Sequence, residues 1–268
     1  TGQIQKNQVS VVGTGTHGLE NNDTVFINVN PGLTTNVTVK YNLSNRKAIF
    51  NPLTFNDSGI TSATSLTGIP NTINISNHGL VTGQKVIHTF SGSVSSLIND
   101  REYYVYVIDS DKISLVENKY EVKKLKPNFV KVAITTAGTL SPVNPPIEFY
   151  RNSTVNFDVS DSSLSYVQSS TRYPAFTFEL YKDIDLTQKY ETSGKNDTFD
   201  VSQTGSIGVS ANAKITLRVD ENTPKLLYYK LSPVQSSDNT NENKEIVVDN
   251  EVDLNNQIII KNSEYNGQ

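Results

Sequence analysis

The sequence predicts an all-β chain of tandem small β-modules, the C-terminal one an antiparallel sandwich of cupredoxin-like or immunoglobulin-like rhythm without metal ligands. Three observations predict it: short apolar–polar alternation recurs along the chain, turn residues punctuate it, and no helical stripe interrupts it. With 35% hydrophobic and 19% charged residues, the 268-residue chain leans on Asn, Ser and Thr, which favour turns and wet strand faces over helix interiors. That length suits two or three domains rather than one.

A repeated phrase organises the first half. Val9-Ser-Val-Val-Gly13-Thr-Gly15-Thr-His17-Gly18-Leu19 and Ile73-Asn-Ile75-Ser-Asn-His78-Gly79-Leu80 share His, Gly and Leu at one common offset. In each copy an alternating run stops at His-Gly, where Gly can take φ > 0, and Leu turns back toward the core. The first module therefore spans 1–68 and includes the strand pattern Val37-Thr-Val39-Lys-Tyr41, with a linker over 62–70. The second, 69–143, carries the strand Tyr103–Ile108, a turn at Asp109-Ser110-Asp111 and the returning strand Lys112–Val116. Its small size predicts that it leans on a neighbour.

The third module, 144–233, follows the stiff Pro142-Val-Asn-Pro145-Pro146, which excludes helix. Val155, Phe157 and Val159 alternate with polar residues; so do Phe176, Phe178 and Leu180, and then Ala213, Ile215, Leu217 and Val219, with Leu226–Tyr229 as a closing strand. Strands with one dry and one wet face pack as two antiparallel sheets. The remainder, 234–268, reads as a polar tether followed by Gln257-Ile258-Ile259-Ile260-Lys261, an apolar run with no local partner that opens a following module.

Composition excludes several chemistries. Zero Cys removes disulfides, thiolate catalysis and thiolate metal sites; zero Met, with Thr1 first, suggests a segment of a longer chain. A net charge of −4 argues against nucleic acid, and the best basic cluster, Lys119–Lys126, reads as a solvated connector. No run approaches the roughly 18 apolar residues of a membrane helix and no basic-then-apolar leader opens the chain, so neither membrane insertion nor a signal peptide is expected.

The motifs that could carry chemistry have plainer readings. Gly13-Thr-Gly15-Thr-His17-Gly18 matches a dinucleotide-binding turn by letter, but Asn21-Asn22-Asp23 and alternating Val25-Phe-Ile27 follow where a helix is required. His17, His78 and His88 are the only imidazoles, and the two in the repeat read as hydrogen-bonding caps. Asp109 with Asp111, Asp158 with Asp161, and Asp183 with Asp185 lack the frame of a calcium loop and read as turn formers. A blue-copper site in the third module would need His, Cys and usually Met, and that module has none of these. No catalytic, cofactor-binding or metal-ligating residue is therefore assigned, and no enzymatic activity or cofactor is expected.

Gly-Thr-His17-Gly-Leu-Glu-Asn-Asn-Asp23, Asn51-Pro-Leu-Thr-Phe55-Asn, Ile75-Ser-Asn-His78-Gly-Leu-Val-Thr-Gly83, Asp158-Val-Ser-Asp-Ser-Ser-Leu164 and Asn262-Ser-Glu-Tyr265-Asn-Gly267 occur in that order. In this order the chain resembles the long virion structural proteins of T4-like phages, especially those infecting marine cyanobacteria. The resemblance implies a tail, baseplate or tail-fibre component, made in the host cytoplasm and located in the virion. Its implied partners are other virion proteins and further segments of its own longer chain, in multiple copies around the tail axis. The alternative is a receptor-binding adhesin module in which exposed Tyr residues and polar loops contact a host-surface glycan. Tyr103, Tyr104 and Tyr106 share one strand, however, so at least one face of that aromatic run belongs to the core.

Overall fold

The structure, a computed structural model, describes residues 34–56, 72–90, 96–130, 138–190, 201–220 and 222–234, residue 132, and the strand backbones at 4–5, 8–9, 27–28, 60–61, 257–261 and 264–265. Short strands β1 (Ile4–Gln5), β2 (Gln8–Val9) and β3 (Ile27–Asn28) precede β4 (Thr34–Asn42), β5 (Lys47–Phe50) and β6 (Leu53–Phe55). Then come β7 (Ile60–Thr61), β8 (Thr72–Asn74), β9 (Lys85–Phe90), β10 (Arg101–Asp109), β11 (Lys112–Val116) and β12 (Gly138–Pro142). The second half holds β13 (Ile147–Tyr150), β14 (Ser153–Asp158), β15 (Ser165–Gln168), β16 (Thr171–Pro174) and β17 (Phe176–Tyr181). It closes with β18 (Val201–Thr204), β19 (Lys214–Val219), β20 (Leu226–Pro233), β21 (Gln257–Lys261) and β22 (Glu264–Tyr265). The fold is all-β; the helical turns among the described residues, Glu121–Lys123 and Ser162–Leu164, are single 3-10 turns.

Two sheets form a sandwich, one in the order β18-β19-β14-β4-β5 and the other β13-β21-β20-β17. The expected alternation is what fills it. Val155 and Phe157 of β14, Ile215, Leu217 and Val219 of β19, and Phe176, Phe178 and Leu180 of β17 are buried in one core. Aromatic rings lock the layers together: Tyr41 lies 4.6 Å from Phe176, Phe50 4.8 Å from Tyr229, and Phe157 4.8 Å from Phe178, centroid to centroid.

The seven-stranded sheet, β6-β12-β9-β10-β11-β8-β7, is antiparallel throughout. It curls until Phe55 of β6 and Ile73 of β8, near opposite edges, share one core with Val86, Tyr103, Val105, Ile113 and Leu140. The β10–β11 hairpin forms as the sequence predicts, turning at Asp109–Asp111. Its aromatic run splits by strand alternation: Tyr103 is buried with its hydroxyl accepting from Ile98 N at 3.0 Å, while Tyr104 and Tyr106 are half-buried on the other face.

Strand pairing corrects two expectations. First, 1–68 is not a separate sheet unit. β4 pairs in parallel with β14, and β5 pairs with β4, so both complete the sandwich, whereas β6 and β7 join the seven-stranded sheet. The physical reason is that Val37, Val39 and Tyr41 present a dry face that a lone hairpin cannot cover. Second, the run 257–261 has a local partner on each side: β21 pairs in parallel with β13 and antiparallel with β20, so it completes the sandwich and does not open a new module. The pairs within 144–233, β14–β19, β18–β19 and β17–β20, are antiparallel as expected; β4 on β14 and β21 on β13 add one parallel pair to each sheet from outside that span.

The second module does lean on its neighbour. Ile49, Ile87 and Val143 form a small apolar cluster, Ile49 bridges Val143, and Val143 N donates to Lys85 O at 3.0 Å. The β4–β5 turn adds polar stitches, with Asn42 Nδ2 donating to Asp100 Oδ1 at 3.2 Å and Asn45 Nδ2 to Asp100 O at 2.7 Å.

Candidate interaction surface

His78 is a cap. Its Nδ1 accepts from Leu80 N at 2.9 Å, which leaves Nε2 to donate to Asp109 O at 2.9 Å, and His78 N donates to Ser110 O. One neutral imidazole thus fastens the 75–80 turn to the β10–β11 hairpin. His17 and the Gly13–Gly18 motif lie outside the described residues, so the proposed equivalence of His17 and His78 does too.

Five of the six paired aspartates, Asp109, Asp111, Asp158, Asp161 and Asp183, accept from backbone N–H groups. Asp109 Oδ1 accepts from Asp111 N, and Asp111 Oδ1 from Asn77 N. Asp158 accepts from Ser160 N, and Asp161 from Ser163 N with Lys40 Nζ at 3.0 Å. Asp183 takes Thr187 N and Gln188 N, which hold its carboxyl below the usual range. Asp109, Asp158 and Asp161 thus make Asx turns, Asp183 closes its own loop, and Asp111 ties the β10–β11 turn to the 75–80 turn. The carboxylates do not converge, and no group of three or more His, Asp or Glu set to hold a metal occurs among the described residues.

His88 lies fully inside the seven-stranded sheet beside Phe55 and Phe90, with ring centroids 6.1 and 5.6 Å away. Its Nδ1 sits 3.3 Å from Ile98 O and must donate, so Nε2 carries the lone pair and has no hydrogen-bond partner. Burial lowers its pKa, against opposing contributions from the Ile98 carbonyl and Asp100.

Two projecting features remain. The hairpin β15–β16 forms its own two-stranded sheet and turns through Ser169 and Ser170, with φ of 47° and 66°, as a tight two-residue hairpin requires. Tyr166 packs on the sandwich core and Tyr173 stacks on it at 5.6 Å. By strand alternation Gln168 and Thr171 share that face, while Val167 and Arg172 lie on the other. Tyr173 is 42% exposed and Val167 55%, and Arg172 is tied back to Ser165 Oγ at 2.7 Å. The sequence carries a signal for this hairpin, Ser169-Ser170 midway between two Tyr, that the longer alternating runs overshadow.

The second feature is the loop 117–128, the basic cluster taken as a connector. Its ends meet at the Val116–Phe129 bridge and the Val130 N to Leu115 O bond of 2.8 Å, which makes it a closed Ω-type loop. Asn118 Oδ1 accepts from Tyr120 N and Glu121 N; Glu121 pairs with Lys124 and accepts from Asn128 N. The Lys124 and Asn128 bonds hold the Glu121 carboxyl below its usual range.

Comparison with known proteins supplies no relative: no family model matches the chain, no curated protein is significantly similar, and no solved structure is significantly similar in fold. Fold and surface together define a β-scaffold that presents ordered loops.

Proposed function

We propose that the chain is a structural, non-enzymatic component of a bacteriophage tail or baseplate, whose β-units mediate protein–protein assembly of the virion. The observation that carries this reading is the β15–β16 hairpin, anchored through Tyr166 to a two-sheet core and exposing Tyr173 on the Tyr166 face and Val167 and Arg172 on the opposite one. Tyr and Arg are enriched in interface cores, and a rigid aromatic anchor loses little entropy on docking. The resemblance of its ordered short motifs to T4-like virion proteins supports the tail setting.

A second reading, a tail-fibre adhesin, is favoured by one specific arrangement. The outer face of Tyr173, with Gln168 and Thr171 beside it, offers the ring and amide chemistry that binds sugars. The double variant Val167→Ser, Tyr173→Ala separates the two. Loss of incorporation into tail particles, with the melting temperature of the isolated chain unchanged, supports assembly. Normal particles that no longer adsorb to host cells would replace it with the adhesin reading.

A further inference from the structure

The loop 117–128 is built to keep its polar staples inside and its cations outside. Asn118 and Glu121 spend their side chains on the loop's own backbone and on Lys124, while Val122 packs toward the turn at Gly83. What faces outward is Lys119, Tyr120, Lys123, Leu125 and Lys126: Leu125 is fully exposed, Tyr120 79% exposed, and the three Lys make no ion pair among the described residues. The loop carries four Lys and two Glu in a chain whose net charge is −4, so the positive charge is local.

We propose that this loop docks on the surface of an anionic phospholipid bilayer, with Leu125 and Tyr120 entering the headgroup region and Lys119, Lys123 and Lys126 facing lipid phosphates. Charge complementarity selects an anionic partner, and the two lone apolar tips select one that accepts apolar groups without a shaped pocket. Two exposed apolar side chains, interspersed along the loop with Lys119, Lys123 and Lys126, are too small a patch for a standard interface between proteins, which buries about 1,200 Å² or more. This is surface adsorption; no helix among the described residues is long and apolar enough to cross a membrane. The inference goes beyond the assembly role and stands or falls separately from it.

Flotation of the full chain with vesicles tests it, using phosphatidylglycerol mixed with phosphatidylcholine against phosphatidylcholine alone. The chain should float with the mixed vesicles in low salt, fail to float with the neutral ones, and be released in molar salt, where the Debye length falls to about 3 Å. Lys119→Gln, Lys123→Gln and Lys126→Gln should each weaken partitioning roughly fivefold. Leu125→Ser should weaken it by about fivefold or more. Circular dichroism melts of each variant confirm that the fold is kept, as expected for exposed positions. Absence of flotation with the mixed vesicles overturns the proposal, as does binding that survives both the Lys and the Leu125 changes. Flotation that depends on the Lys residues but not on Leu125 overturns insertion. Vesicle-free self-association abolished by the same variants would reassign the loop to a contact between copies of the chain.

Discussion

At the scale of single residues, the imidazoles and glycines carry the sharpest expectations. Folded His88 resists protonation, because its Nε2 is buried without an acceptor between aromatic rings. Its pKa is lowered on folding, so it contributes stability that is complete above the unfolded value of about 6.5 and is lost as pH falls through the folded value. The groups around it are Asp100, which opposes the shift, and Arg101, its register partner, which is engaged by Glu117. Unfolding free energy from urea titrations should therefore drop as pH falls below about 6.5, and His88→Phe should flatten that slope. Gly138 marks the same site, since a Cβ there would come within 2.7 Å of Phe55 Cζ and 3.1 Å of His88 Nε2. Gly138→Ala should destabilise by about 1–3 kcal/mol in the same titration. His78→Ala strands Leu80 N and the Asp109 carbonyl and should cost about 1–3 kcal/mol; no loss would mean that water replaces the cap.

At the scale of elements, the turn that closes the sandwich end depends on Gly208. It has φ of +68°, its N–H donates to Val159 O at 2.8 Å, and an added Cβ would lie 2.6 Å from the Leu164 carbonyl carbon. Gly208→Ala combines backbone strain with collision and should lower stability by roughly 1–3 kcal/mol or more, read as a shift in the urea midpoint. Strand β21 makes a harsher case. Deleting 257–261 strips partners from both β13 and β20, so the sandwich itself should unfold, visible as loss of the cooperative melt. A retained melt would remove β21 from the sheet. Strands such as β14, β17 and β19 were legible in the sequence because one dry face leaves a period-2 trace. Their partners were not, since alternation records which face is buried and not which strand lies alongside. That is why β4 and β21, each in a parallel pair separated from its partner by a long stretch of chain, fall outside the unit that the sequence pattern outlines for the sandwich. The candidate surfaces were half legible: Lys119–Lys126 shows its charge in sequence, but the Asn118 and Glu121 bonds that order it depend on geometry.

At the scale of the whole molecule, two cores are sewn together by a chain that visits both. β4 and β5 belong to the sandwich, β6 to β12 to the curled sheet, and β13, β14 and β17 to β21 to the sandwich again, with Ile49, Ile87 and Val143 at the seam. The fragment 144–233, a complete module by its sequence pattern, lacks β4, β5 and β21. It should give a collapsed amide NMR spectrum, while a chain spanning 34–261 should give a dispersed one. The central claim is that this scaffold presents its β15–β16 hairpin to a neighbouring protein within a tail. The most direct measurement is a cryo-electron microscopy map of a tail particle containing the chain. We expect density of another protein packed on the hairpin, against Tyr173 on one face or Val167 on the other; a hairpin facing open solvent on both faces, with the chain held in the particle by other surfaces, would contradict it.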